Sequence, residues 1–374
     1  MVKTRKKLLI IHSSDELYGS DRILLEVAEA LKDDWNLEVW LPVDHQDGEQ
    51  RLFNELRRRQ VAVIHIDMPI LRRSLMNPKG LTRFAGLFPG MVRRMRAAHA
   101  DHVYLMTAAC LLFAPLARLA GVPHVTAHLQ EPWGTREAFI LRKLSFFADH
   151  RLAISQTVAS STGLRSDSVS IVHNAVPRLA GSPNPEAALI EGFEQPLYLI
   201  ASRWNGHKGH ETLLRAWETA GHPGKLFILG SAPQGNDSVD VPDLVRRHVS
   251  DPNSVQIVGQ VESPEAWFDA VDCMILPTDT IEGCGLVVIE AFRHGKAAIV
   301  SDSGGPAEVV SHKENGLIFT PKDVAGLARL MKTTTKAELQ AMGAQGRRCY
   351  ERNYTPERFH QAIRAEVSRL DPVV

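Results

Sequence analysis

Cys273-Met274-Ile275-Leu276-Pro277-Thr278-Asp279-Thr280-Ile281-Glu282-Gly283-Cys284-Gly285-Leu286-Val287-Val288-Ile289-Glu290-Ala291-Phe292 is the stretch on which the fold turns. Its first four residues are an apolar run suited to a buried strand, a polar loop follows, and a helix opens near Gly285. A strand that passes through a loop into a helix is half of a parallel-sheet unit. The chain must cross over the sheet before the next parallel strand can start. The same rhythm continues on either side. Leu197–Ala201, Lys225–Leu229, Val255–Val258 and Ala298–Val300 read as further strands with helical patterns between them. Nearer the N-terminus the strand candidates are Leu8–His12, Leu37–Leu41, Val61–Ile66, His102–Met106, His124–Ala127, His150–Ile154 and Val169–Val172. A helix over Ser20–Lys32 places Ile23, Leu24, Val27 and Leu31 on one face. Such alternation predicts right-handed crossovers and sheets covered on both faces.

Residues 176–196 break the rhythm with four prolines and two glycines, the composition of a hinge. The expected class is therefore α/β, with two Rossmann-like domains whose parallel sheets face each other across a cleft. The first domain spans 1–175, the hinge 176–196 and the second domain 197–354. A last helix, 355–374, has no strand after it and is expected to cross back to the first domain. A length of 374 residues suits two domains, and 44% hydrophobic with 23% charged residues excludes a disordered or fibrous chain. Basic and acidic side chains balance at 43 each, which gives no general case for nucleic acid. Yet residues 1–175 hold 23 basic and 18 acidic side chains, and the remainder 20 and 25, so the two domains are expected to meet different partners. Four scattered cysteines argue for a reducing compartment. The apolar run Leu8–Ile11 is too short for an export signal, and His102–Ala117 falls short of the roughly 20 residues of a membrane span. A cytoplasmic location is expected.

Three strand ends in the second domain carry unusual chemistry. After Leu197–Ala201, Arg203 and Lys208 put two cations on a glycine-containing loop before a helix start, an arrangement suited equally to a leaving diphosphate or to a solvated basic loop. In the opening stretch, Gly283 and Gly285 allow backbone N–H groups to approach an anion. Glu282 and Glu290 offer carboxylates to sugar and ribose hydroxyls. Their spacing alone means little, because with 23 glutamates the linker supplies a decoy pair, Glu186 and Glu194. The strand, glycine and helix context gives Glu282 and Glu290 their weight. After Ala298–Val300, Gly304-Gly305-Pro306 makes a bend suited either to closing on a ligand or to a plain turn.

The first domain offers Gly19 beside Ser20, where a helix cap by Ser20 is the plainer reading. His128 is read as lying just past strand His124–Ala127, in His128-Leu129-Gln130-Glu131, though one of 16 histidines is more often structural than catalytic, and Asn174 at the hinge also fits a plain turn.

In the order Gly19, His128, Asn174, Arg203/Lys208, Glu282-Gly283-x-Gly285 with Glu290, and Gly304-Gly305-x-x-Glu308, the chain resembles retaining glycosyltransferases of the GT-B fold, the family 4 group. The resemblance spans nearly the whole chain and is strongest from residue 172 onward. It implies transfer of a sugar from a nucleotide-diphosphate sugar to a glycan or lipid-linked acceptor with retention of configuration, in cell-surface polysaccharide or glycoconjugate synthesis. It implies that His128, Arg203, Lys208 and Glu282 are catalytic, and that Gly19, Gly283, Cys284, Gly285, Leu286 and Glu290 bind the donor. Asn174, Glu131, Gly304 and Gly305 would be auxiliary. No cofactor beyond the nucleotide sugar as co-substrate is implied, and no metal, in keeping with the lack of an Asp-x-Asp. Closure about residues 175–196 would exclude water. The chain departs from the family at Ser20, where a second glycine is common, and at Cys284, where phenylalanine is. A nucleotide-sugar epimerase, a phosphorylase or a catalytically silent sugar-nucleotide-binding protein on the same fold are the rival readings.

Residues 70–96 are basic and studded with apolar side chains. From Met68 to Ala100 the bases are Arg72, Arg73, Lys79, Arg83, Arg93, Arg94 and Arg96, with no acid among them. This predicts docking on the anionic inner face of a membrane, against the plainer reading of a solvated helical face.

Overall fold

The computed structural model describes residues 5–43, 50–71, 78–176, 194–232, 238–261 and 263–370, with 78–81, 83 and 84 described by backbone only. Most of the expected hinge, and Arg72 and Arg73, lie outside the described residues. The chain divides into two units, Met1–Ala175 with Pro356–Val374 and Val176–Thr355. The last helix, Pro356–Ser368, thus belongs to the first unit, where it packs on helix Gly19–Leu31.

The first unit is built on seven parallel strands: β1 (Lys7–Ile11), β2 (Asn36–Pro42), β3 (Ala62–Ile66), β4 (His102–Met106), β5 (His124–Leu129), β6 (His150–Ala153) and β7 (Ser170–Ile171). Their spatial order is β3-β2-β1-β4-β5-β6-β7. The register sets Ile10 opposite Val39 on one side and Tyr104 on the other. The second unit has six: β8 (Leu197–Ala201), β9 (Lys225–Leu229), β10 (Val255–Gly259), β11 (Cys273–Leu276), β12 (Ala297–Ser301) and β13 (Gly316–Phe319), in the order β10-β9-β8-β11-β12-β13. Central strands such as β4 and β11 are buried along their whole length, so their sequences run apolar without alternation.

Each sheet has one place where strand order reverses, between β1 and β4 in the first and between β8 and β11 in the second. Loops leaving neighbouring strands there go to opposite faces of the sheet. The crevice left at the carboxyl ends is where ligands settle in such folds.

Two differences from the sequence reading matter for the site. Strand β13 was not anticipated, because a four-residue run opening on glycine reads as a turn. Gly316 is needed there, since a Cβ would lie 2.3 Å from the Ala298 carbonyl oxygen on the adjacent strand. Strand β5 runs on through His128 to Leu129, two residues beyond the expected end.

Candidate active site

At the second switch point, three loops interlock. After β8 the chain passes through Arg203 to a short 3-10 turn, Gly206–Lys208, and then into helix His210–Ala220. Gly209 joins them with φ +72°, and a Cβ there would stand 1.9 Å from the Pro277 carbonyl oxygen. Only glycine permits this turn so close to the end of β11. The Asp279 N–H donates to the His207 carbonyl at 2.9 Å, tying the β8 and β11 loops together. On the other side, the Glu282 N–H donates to the Ser303 carbonyl at 2.8 Å and the Gly305 N–H to the Glu282 carbonyl at 2.9 Å. A Cβ on Gly305 would lie 2.1 Å from the Gly283 oxygen, and Gly304 has φ +96°. The Gly-Gly bend is therefore the joint that holds the Glu282 loop against the end of β12.

This framework brings Lys208 and Glu282 together across 74 residues of sequence, Nζ to Oε1 at 2.9 Å, with side chains 18% and 20% exposed. Thr278 Oγ1 donates to the other carboxylate oxygen at 2.9 Å. Glu282 thus orients the ammonium of Lys208, which keeps two more N–H donors for another acceptor. The sequence reading gave Glu282 to sugar hydroxyls. Here both its oxygens are engaged, so a hydroxyl would share it with Lys208 and Thr278. Arg203 is exposed on the same β8 loop.

Helix Leu286–Arg293 starts at Gly285 in the left-handed conformation with no side-chain cap. A Cβ on Gly285 would meet the Pro306 ring at 2.8 Å. The helix start therefore presents backbone N–H groups and the positive end of its dipole beside Gly283 and Cys284. Glu290 lies in the second turn, partly exposed, with partly exposed Leu286 and Val287 at helical spacing from it. Cys284 is buried, and its thiol is pushed up to about 12 by that burial and by the charges of Glu282 and Glu308. It is a packed, unreactive side chain whose contribution is its backbone.

His210, which the sequence reading passed over, is 2% exposed at the start of its helix, with Nε2 3.4 Å from Ser202 Oγ. Burial, then the neighbouring Lys208 and His207 charges, bring it down to about 4. It adds no positive charge near neutral pH. Thr278 was also missed, although its place four residues before Glu282 in the same loop was a usable signal.

In the first unit, Gly19 opens helix Gly19–Leu31 at the end of the loop after β1. The cap is not Ser20, which lies inside the helix. Instead Tyr18 is the capping position, and its N–H donates to Asp21 Oδ2 at 2.9 Å. Asp21 Oδ1 lies 2.6 Å from His12 Nε2 and accepts from Ser14 Oγ at 2.6 Å. Burial works against the charge of Asp21, but these hydrogen bonds and the attraction of His12 outweigh it and hold the carboxyl below its usual range. This buried knot fixes the Gly19 loop, and no residue spacing announced it.

His128 requires a correction. It is not past the strand but inside β5, fully buried, with Nδ1 2.9 Å from the Tyr104 hydroxyl on β4 and the Phe359 ring stacked at 6.5 Å. Burial brings its imidazole down to about 3, so it is neutral at ordinary pH. Its Nε2 is buried without a hydrogen-bond partner among the described residues. Glu131 does lie past the strand end; burial of its carboxyl raises it above the usual range, against a hydrogen bond accepted from the Ala108 N–H after β4. Asn174 is buried and donates from Nδ2 to Gln130 Oε1 at 3.0 Å. Gly19 and Glu131 therefore edge the carboxyl ends of β1, β4 and β5, Asn174 holds the Gln130 side chain next to them, and His128 lies beneath. Among the described residues, no three His, Cys, Asp or Glu side chains gather as a metal site requires.

Residues 195–336 match the family model Glycosyl transferases group 1. An exopolysaccharide phosphotransferase of Streptomyces coelicolor is 32% identical over 164 residues, 41% of this chain and 17% of that protein. The lipopolysaccharide 1,6-galactosyltransferase of Escherichia coli is 24% identical over 235 residues, 59% of this chain and 63% of that one. The chain thus spans less than two thirds of either relative's length. Among solved structures, Anabaena HepE in complex with UDP and glucose superposes with a TM-score of 0.82 at 20% identity, covering 97% of this chain and 100% of that one. The chain therefore carries a Glycosyl transferases group 1 domain over residues 195–336 and has the GT-B fold.

Proposed function

We propose that this protein is a glycosyltransferase that moves a sugar from a nucleotide-diphosphate sugar to a glycan or lipid-linked acceptor, with retention of configuration. The observation that carries the reading is the Lys208–Glu282 pair beside an uncapped, glycine-lined helix start at the second switch point. The exposed Arg203 guanidinium, the oriented Lys208 ammonium and the helix N–H groups supply positive charge where a diphosphate gains negative charge as it leaves. No divalent metal is assigned. Glu290 takes the ribose hydroxyls, and Gly283 to Leu286 meet the donor through the backbone. The departing diphosphate itself draws the proton from the acceptor hydroxyl on the face it leaves, which retains configuration. His128, neutral and buried, is assigned no proton transfer.

A role in cell-surface polysaccharide or glycoconjugate synthesis is supported by the names of the Streptomyces and Escherichia relatives. The basic segment 70–96 supports work at the inner face of the membrane. Its Arg93, Arg94 and Arg96 are exposed, and no described helix is long and apolar enough to span a bilayer. The deciding experiment is a thermal-shift screen of nucleotide sugars followed by mass spectrometry of products formed with lipid extracts. Full transfer by Glu282→Ala would refute the assignment of this site, and donor binding without any product from the wild type would favour a silent binding protein.

A further inference from the structure

Helices Pro78–Ala97, Phe113–Ala120 and Ala138–Ser145 pack in succession in the first unit. Ten large hydrophobic side chains are exposed among the described residues, and five fall in the last part of this layer: Leu119, Phe139, Ile140, Phe146 and Phe147. Phe139 and Phe146 are 63% and 65% exposed. Scattered apolar side chains need no explanation, but three phenylalanines within nine residues do.

The backbone that displays them is clamped. Arg118 Nε donates to the Phe147 carbonyl at 2.9 Å, and Arg151 donates to the carbonyls of Ser145 at 2.9 Å and Ala148 at 2.8 Å. Two guanidinium groups thus satisfy the carbonyls of the turn after the helix and hold its rings outward. Cations also flank the rings. Lys143 Nζ stands 4.2 Å from the centre of the Phe139 ring and the Arg151 guanidinium 5.9 Å from that of Phe146. Over residues 118–151, outside the basic segment, five Arg and Lys side chains face three Asp and Glu, with Arg118 paired to Asp149. A second copy seated on this patch by a two-fold axis would set like charges against each other. An anionic phospholipid surface would accept the rings at its headgroup–acyl boundary and the cations at its phosphates.

We propose that helix Ala138–Ser145 and the turn through Ala148 form an apolar wedge, with Phe139, Phe146 and Phe147 entering an anionic phospholipid bilayer. The wedge rests on the membrane part of the function proposed above and is separate from the basic segment 70–96. The test is sedimentation with vesicles of phosphatidylcholine and phosphatidylglycerol, using the full chain. Wild type is expected to bind, and to bind less in high salt. Phe146→Ser/Phe147→Ser is expected to lower the partition coefficient ~10-fold, while Phe146→Leu/Phe147→Leu keeps it within ~3-fold. Equal partition of wild type and the serine variant overturns the wedge. So does failure of wild type to bind anionic vesicles, or a dimer in sedimentation equilibrium that the serine pair dissolves. Nucleotide-sugar thermal shifts on the same variants should match wild type. If no nucleotide sugar shifts the wild type, the transfer reading fails while the vesicle result stands.

Discussion

Replacing Lys208 by Ala removes the cation whose placement the site depends on. The Nζ lies 2.9 Å from Glu282 and the pair is about four-fifths shielded from solvent. A hydrogen bond from a charged group to a phosphate oxygen is worth roughly 1.5–3 kcal/mol, so nucleoside diphosphate affinity should fall about ten- to hundredfold. Charge grows further as the bond to the sugar breaks. Turnover should therefore fall more, by about 10²–10³, as when one donor to a developing oxyanion is deleted. Glu282→Gln keeps the shape and the Thr278 bond but loses the attraction that orients Lys208. It should cost about threefold in affinity and more in turnover. Calorimetry with a panel of nucleoside diphosphates measures the first effect and donor consumption the second. Because the two side chains act as a pair, the double variant should be less damaging than the two single effects combined, by about 1 kcal/mol given the partial exposure. Wild-type affinity of Lys208→Ala for every diphosphate tested, or strict additivity of the two substitutions, would refute the reasoning.

Gly209→Ala meets both a left-handed φ of +72° and the Pro277 oxygen at 1.9 Å. Urea unfolding should show a loss of about 2–4 kcal/mol together with weaker donor binding. An unchanged midpoint would mean the loops are not locked at that point. Acid should destabilise the fold through its buried histidines. His102 and His128 are brought down to about 3 and His210 to about 4, in each case mainly by burial. The unfolded chain takes up these protons near pH 6.5 while the folded one refuses them. Stability is therefore full above that pH and falls as pH drops toward 4, by about 2 kcal/mol per histidine at pH 5. Urea melts at pH 7.5 and 5 test this, and His128→Phe should lessen the loss. A thiol reagent at pH 8 should modify Cys349 within minutes and leave Cys110, Cys273 and Cys284, which are buried, untouched. Rapid reaction of Cys284 would contradict its packing.

How much of this was readable from residue order alone depended on how local the cause was. Strands β4, β8, β9 and β11 fall at the bounds expected for them, because a parallel strand buried on both faces must be a continuous apolar run. The Arg203–Lys208 loop, the Gly283–Gly285 helix start and the Gly304–Gly305 bend were legible for a similar reason. Each is a short segment whose glycines or charges are consequences of local backbone geometry. Strand β13 was illegible because Gly316 is set by the approach of another strand, which its own four residues do not encode.

What only the tertiary structure decided is which distant groups meet. Sheet order sets β8 beside β11, and this alone joins Lys208 to Glu282, so that the carboxylate read for sugar hydroxyls also orients an ammonium. The extension of β5 by two residues carries His128 from an open loop to a sealed position beside Tyr104. Burial then makes it neutral, and desolvation at a point in space is a property that no spacing of residues along the chain contains.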